Sequence, residues 1–140
     1  MARYLGTGVR GAAAFFAFFI VCGVLAGAGY SGFAAGLAAI NLGPPDWALV
    51  GASGAASGLM GAAARLIEGR GRLGSLTGRT VMGMTLAWIV LNVAFGATGL
   101  TPGTEGAPVA WGAHILGYFA GLFLIPLFAF AAGAHEEMTQ

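Results

Sequence analysis

Apolar positions gather in four long blocks, Gly11 to Tyr30, Trp47 to Ile67, Val81 to Leu100 and Pro108 to Ala131, with the polar positions concentrated between them. At ~1.5 Å per helical residue, each block is long enough to cross a hydrocarbon layer ~30 Å thick. Backbone N–H and C=O groups cannot stay open in lipid, so the pattern predicts four helices packed into one bundle. No repeat or separate soluble unit interrupts it, and residues 1–140 read as a single all-α membrane domain.

The connecting stretches differ in character. Ser31 to Asp46 is small, apolar and Gly-rich before Pro44-Pro45. Too short to span and too apolar for an ordinary loop, it predicts a short half-buried helix lying over the bundle. Trp47 is expected at the outer interface. Thr101 to Gly106 reads as a turn, and the tail Ala134 to Gln140, with His135, Glu136 and Glu137, as a solvated end. Met1 to Arg10 is short and basic like a secretory leader, but the apolar run after it, about 19 residues, exceeds the 7–15 of a signal core. It predicts a retained helix.

Composition narrows the class. With 58% hydrophobic residues, 8% charged and a mean hydropathy of +0.85, the chain cannot build a water-soluble surface. Its 26 glycines fall inside the apolar blocks, as in closely packed membrane helices. A net charge of +1 leaves no basic patch for nucleic acid, which is excluded as a partner. The single cysteine, Cys22, reads as a small buried hydrophobe.

All six cations are arginines: Arg3 and Arg10 precede the first block, and Arg65, Arg70, Arg72 and Arg79 surround the second connection. The positive-inside rule then puts both termini and the Arg65 to Thr80 loop in the cytoplasm. Ser31 to Asp46 and Thr101 to Ala107 fall outside.

Candidate chemistry rests on two residues. His114 is ionisable and lies within the fourth block, where burial is costly; it is either functional or a structural hydrogen-bonding histidine. Ser53 lies in the run Gly51-Ala52-Ser53-Gly54-Ala55-Ala56-Ser57-Gly58 and is either a packing serine or a nucleophile. Ser53 and His114 each follow a rim position, Trp47 or Pro108, by six residues, about 9 Å of helix. Both are therefore expected near the outer face, within reach of water.

Gly54, Gly58 and Gly61 recur on the second block, and Gly117 and Gly121 form a GxxxG on the fourth, within ~60° of His114 at 100° per residue. These small faces permit close approach. A neutral imidazole can then take the proton of a serine hydroxyl, and the backbone N–H groups of Gly51 and Ser53, at a helix head, can receive an oxyanion. No acidic residue is placed to orient the ring, so a Ser–His dyad is favoured over a triad. One spanning His, one tail His and one Cys do not make a metal site, and no cofactor is expected. Thr85 and Asn92, in the third block, read as interhelical hydrogen-bonding residues rather than as chemistry.

These residues resemble the rhomboid family of intramembrane serine proteases. The resemblance rests on Gly51-Ala52-Ser53-Gly54 followed by Gly58-Leu59-Met60-Gly61-Ala62, and on Ala113-His114 followed by Gly117, Gly121 and Pro126. It implies a six-helix core whose helices three to six correspond to the four spans here, with Ser53 as nucleophile, His114 as general base, and Gly54, Ser57, Gly58, Gly117 and Gly121 packing around them. Where family members often place an aromatic residue against the catalytic ring, this chain has Ser57. It further implies single-pass membrane proteins as substrates in the lipid bilayer. The expected location is a bacterial inner membrane.

Family members also carry an earlier helix whose His and Asn help hold the oxyanion, and residues 1–140 are expected to begin after it. The chain is then either a truncated reading of a longer protease or a noncatalytic relative that binds membrane helices. A small channel or transporter subunit has less support, because the spans carry a single ionisable His and no evident ion pathway.

Overall fold

The computed structural model describes residues 8–40, 42, 52–70, 72–98 and 111–131. Gly51, the stretch around Pro44 to Trp47, the Thr101 to Gly106 turn and the tail with His135 lie outside the described residues. The described elements are four helices: α1 (Gly8–Ala39), α2 (Ser53–Glu68), α3 (Arg79–Thr98) and α4 (Trp111–Ala131). Among the described residues, three stretches are long and apolar enough to cross a membrane: Val9–Ala39, Arg79–Thr98 and Trp111–Phe130.

Two boundaries differ from the sequence reading. The expected break after Tyr30 is absent, and α1 runs unbroken for 32 residues through Ser31 to Ala39. There is thus no separate helix over the bundle in that part. Alanine favours helix, isolated glycines are tolerated, and no proline intervenes before Pro44. The second helix begins at Ser53, with Ala52 as its N-cap. Ser53 is therefore in the opening turn of α2 rather than six residues into a helix.

Glycines set how the helices meet. A Cβ at Gly117 would run into the carbonyl of Gly54, and one at Gly121 into that of Gly58. α2 and α4 are therefore parallel neighbours in backbone contact, and theirs is the most extensive interface in the bundle. The same two glycines also face α1, Gly54 against Ala26 and Gly58 against Cys22, so α1 runs antiparallel to α2. α3 runs antiparallel to α4, since Thr85 meets Tyr118 and Asn92 meets His114.

These directions put Arg10, Arg65, Arg70, Arg72 and Arg79 towards one end of the bundle and Ser53 and His114 towards the other. At the arginine end, the Arg65 backbone carbonyl accepts from Gly74 N–H at 2.9 Å, and its Nε donates to Gly74 O at 3.1 Å. One carboxylate oxygen of Glu68 accepts the Thr80 N–H at 2.8 Å. The last residue of α2 thereby caps the first turn of α3, where an anion suits the helix dipole.

The interior is mostly apolar. Phe18, Cys22, Ala62 and Ile125 form one cluster, and Ala64, Val81, Tyr118 and Leu122 another. Large apolar side chains also cover the outside: Phe16, Val24, Leu86 and Leu127 are each more than 60% exposed. Exposed apolar surface on this scale would drive aggregation in water and is satisfied by lipid.

Candidate active site

The head of α2 and the first turns of α4 meet where Gly54 lies against Gly117, and the close backbone approach brings two side chains together. Ser53 Oγ lies 2.9 Å from His114 Nε2. Helices usually start with a Ser, Thr, Asp or Asn cap. Here the cap is Ala52, which makes no side-chain hydrogen bond, and the hydroxyl one position later reaches across to α4.

Ser57, the second serine of the run, is buried, and its hydroxyl donates to Ser53 O at 2.8 Å, one turn back along α2. It braces the backbone that carries Ser53. The two hydroxyls of the Gly-rich run thus have different neighbours, one an imidazole and the other a carbonyl.

The second ring nitrogen of His114 faces α3. Nδ1 lies 2.8 Å from Asn92 Oδ1, and Asn92 is buried. Asn92 Nδ2 donates to Trp88 O, one turn back, at 2.8 Å, while Trp88 Nε1 makes a longer 3.4 Å bond to His114 O. Trp88 also stacks on Tyr118, ring centroids 6.2 Å apart, and the Tyr118 hydroxyl lies 3.2 Å from Thr85 Oγ1. Thr85, Trp88 and Asn92, at i, i+3 and i+7, form one stripe of α3 laid on α4. Beside it, a groove of about 320 Å³ is lined by Met60, Met84, Ala87, Trp88, Leu91 and Tyr118.

Thr85 and Asn92 both make the interhelical bonds expected of them. The contact between Asn92 and His114 is not among the sequence expectations, because only an acid, and not an amide, is weighed there as the group that orients the ring. Depth carried a signal: Asn92 lies six residues before the end of α3 at Thr98, comparable to the spacing that placed Ser53 and His114 near their rims. Of the residues singled out in the sequence, the structure gathers Ser53, Gly54, Ser57, Gly58, His114, Gly117 and Gly121 at one interface.

A hydroxyl within hydrogen-bond distance of an imidazole nitrogen, at the head of a helix, has the geometry needed for base-assisted nucleophilic attack. The chain matches the family model of the rhomboid domain over residues 6–130. It belongs to the rhomboid family, whose members are usually intramembrane serine proteases. Comparison with curated proteins and with solved structures finds no match. Family membership and the three long apolar helices together make this an integral membrane protein.

Proposed function

We propose that the chain is an intramembrane serine endopeptidase in which Ser53 is the nucleophile and His114 the general base. The observation that carries this reading is the 2.9 Å contact between Ser53 Oγ and His114 Nε2. His114 Nε2 takes the hydroxyl proton as Oγ attacks the scissile carbonyl carbon, giving a tetrahedral oxyanion. The head of α2 stabilises that negative charge with its N–H groups and dipole, those of Gly51 and Ser53 being the candidate donors. The imidazolium passes its proton to the leaving amine, and a water, deprotonated by the same nitrogen, releases the acyl group from Ser53.

The substrates are single-pass membrane proteins, reached within the bilayer. The arginines at the opposite end of the bundle support a cytoplasmic position for that end and an outer position for the site. The alternating directions of the four helices are compatible with helices three to six of the family core.

The test is labelling of the detergent-purified protein with a fluorophosphonate, together with cleavage of a single-pass reporter. Wild type and Ser57→Ala should label, while Ser53→Ala and His114→Ala should not. Labelling that persists in Ser53→Ala and vanishes in Ser57→Ala would assign the nucleophile to the wrong serine. Capture of the reporter with neither labelling nor cleavage would make the chain a noncatalytic binder of membrane helices.

A further inference from the structure

The base reading requires more of His114 than proximity. A neutral imidazole carries one proton on one of two nitrogens, and only a bare Nε2 can accept the proton of Ser53. The neighbours on α3 determine which nitrogen is bare. Trp88 O is an acceptor only, so the Asn92 group facing it must be the amide NH₂, and the 2.8 Å contact there fixes the flip of the side chain. Asn92 Oδ1 is thereby turned to His114 Nδ1, 2.8 Å away. A carbonyl oxygen cannot donate, so Nδ1 carries the proton and Nε2 presents its lone pair to Ser53 Oγ.

We propose that Asn92 is a positioning residue that holds His114 in its Nδ1–H tautomer, so that Ser53, His114 and Asn92 act as one hydrogen-bonded chain across α2, α4 and α3. The proposal rests on the serine-protease reading and extends it to a third helix. Asn92 touches neither substrate nor the reacting atoms. It fixes the ring's tautomer and rotation from a buried site, as the third group does in soluble Ser–His–Asp and Cys–His–Asn constellations. An amide carries no charge to stabilise the imidazolium, so its loss should cost less than the ~10⁴ in rate seen when the soluble triad's Asp is replaced.

The experiment combines nitrogen NMR of ¹⁵N-histidine-labelled protein with fluorophosphonate labelling rates. His135→Gln provides the background, leaving His114 as the one observed imidazole. In that background the ring should show a protonated Nδ1 and a bare Nε2. Asn92→Leu, close in shape but without the acceptor, should redistribute the ring towards Nε2–H and slow labelling by roughly 10- to 1,000-fold. Asn92→Asp, which restores an acceptor oxygen at the same reach, should recover the tautomer and most of the rate.

Circular dichroism and gel filtration establish that each variant is folded, and the unsubstituted Asn92 protein is informative by itself. A protonated Nε2 in that protein overturns the proposal, as does wild-type labelling with an unchanged tautomer in folded Asn92→Leu. A chain that labels no faster than Ser53→Ala overturns the protease reading and, with it, the role of Asn92.

Discussion

Gly117 sits against the carbonyl of Gly54 with no room for a methyl group between them, and three residues before Gly117, His114 meets Ser53. The spacing of Ser53 and His114 is therefore set by two touching backbones, with no flexible side chain between them to take up slack.

Gly117→Ala should separate α2 from α4 and pull the imidazole away from Ser53. Overpacking of this kind typically costs about 1–3 kcal/mol, and fluorophosphonate labelling should fall sharply even in molecules that remain folded. Gly121→Ala, against Gly58, should destabilise similarly. Gly83→Ala on α3 is the control: nothing lies within 4 Å of its added Cβ. Helix propensity alone should make it neutral or stabilising by up to about 1 kcal/mol. Thermal unfolding in detergent, read beside labelling, separates the two classes.

Ser57→Ala removes the hydroxyl that donates to Ser53 O. Ser53 O lies in a regular helix, so the expected loss is that of one buried hydrogen bond, about 0.5–1.5 kcal/mol. Labelling should survive. A loss of labelling as complete as in Ser53→Ala, in a folded protein, would give Ser57 a role beyond bracing.

Tyr118→Phe deletes the contact with Thr85 Oγ1 while keeping the ring that stacks on Trp88. Hydrogen bonds between membrane helices average about 0.6 kcal/mol, so stability should drop only slightly. Trp88→Ala should do far more, because Trp88 supplies the stack, the bond to His114 O and the carbonyl that orients Asn92. Cysteine cross-linking between α3 and α4 would report the difference as a change in helix proximity.

At the arginine end, hydrogen bonding by Thr80, first through its side chain and then its backbone N–H, holds the Glu68 carboxyl below its usual value, with help from the charge of Arg70. A depressed carboxyl contributes stability that is present above its unfolded-state value and is lost as pH falls through the lower folded-state value. Glu68→Gln should therefore be less stable than wild type at neutral pH, and the gap should close in acid. Unfolding midpoints measured across pH check this, and a gap that widens in acid would contradict it.

Much of the bundle was legible because membranes impose length and apolarity on any helix that crosses them. Gly54, Gly58, Gly117 and Gly121 were readable for a related reason: in a setting without a hydrophobic drive between helices, small residues mark where backbones meet. The continuation of α1 past Tyr30 was hidden, since Gly- and Ala-rich sequence satisfies a loop and a helix equally well. Asn92 was hidden for a chemical reason. An amide can accept from an imidazole as an acid does, but nothing in its charge advertises the partnership.

The parallel course of α2 and α4 has an electrostatic consequence. Adjacent helices running the same way align their dipoles side by side, which is mildly unfavourable, and the low dielectric of a bilayer makes the repulsion stronger. In return, both positive ends converge where α2 starts at Ser53 and α4 starts at Trp111, three residues before His114. Ser53 and His114 thus sit in a positive field built from peptide groups, with no lysine or arginine of the described helices near that end. Such a field cannot be neutralised by a change of pH, and it favours whatever negative charge arises there.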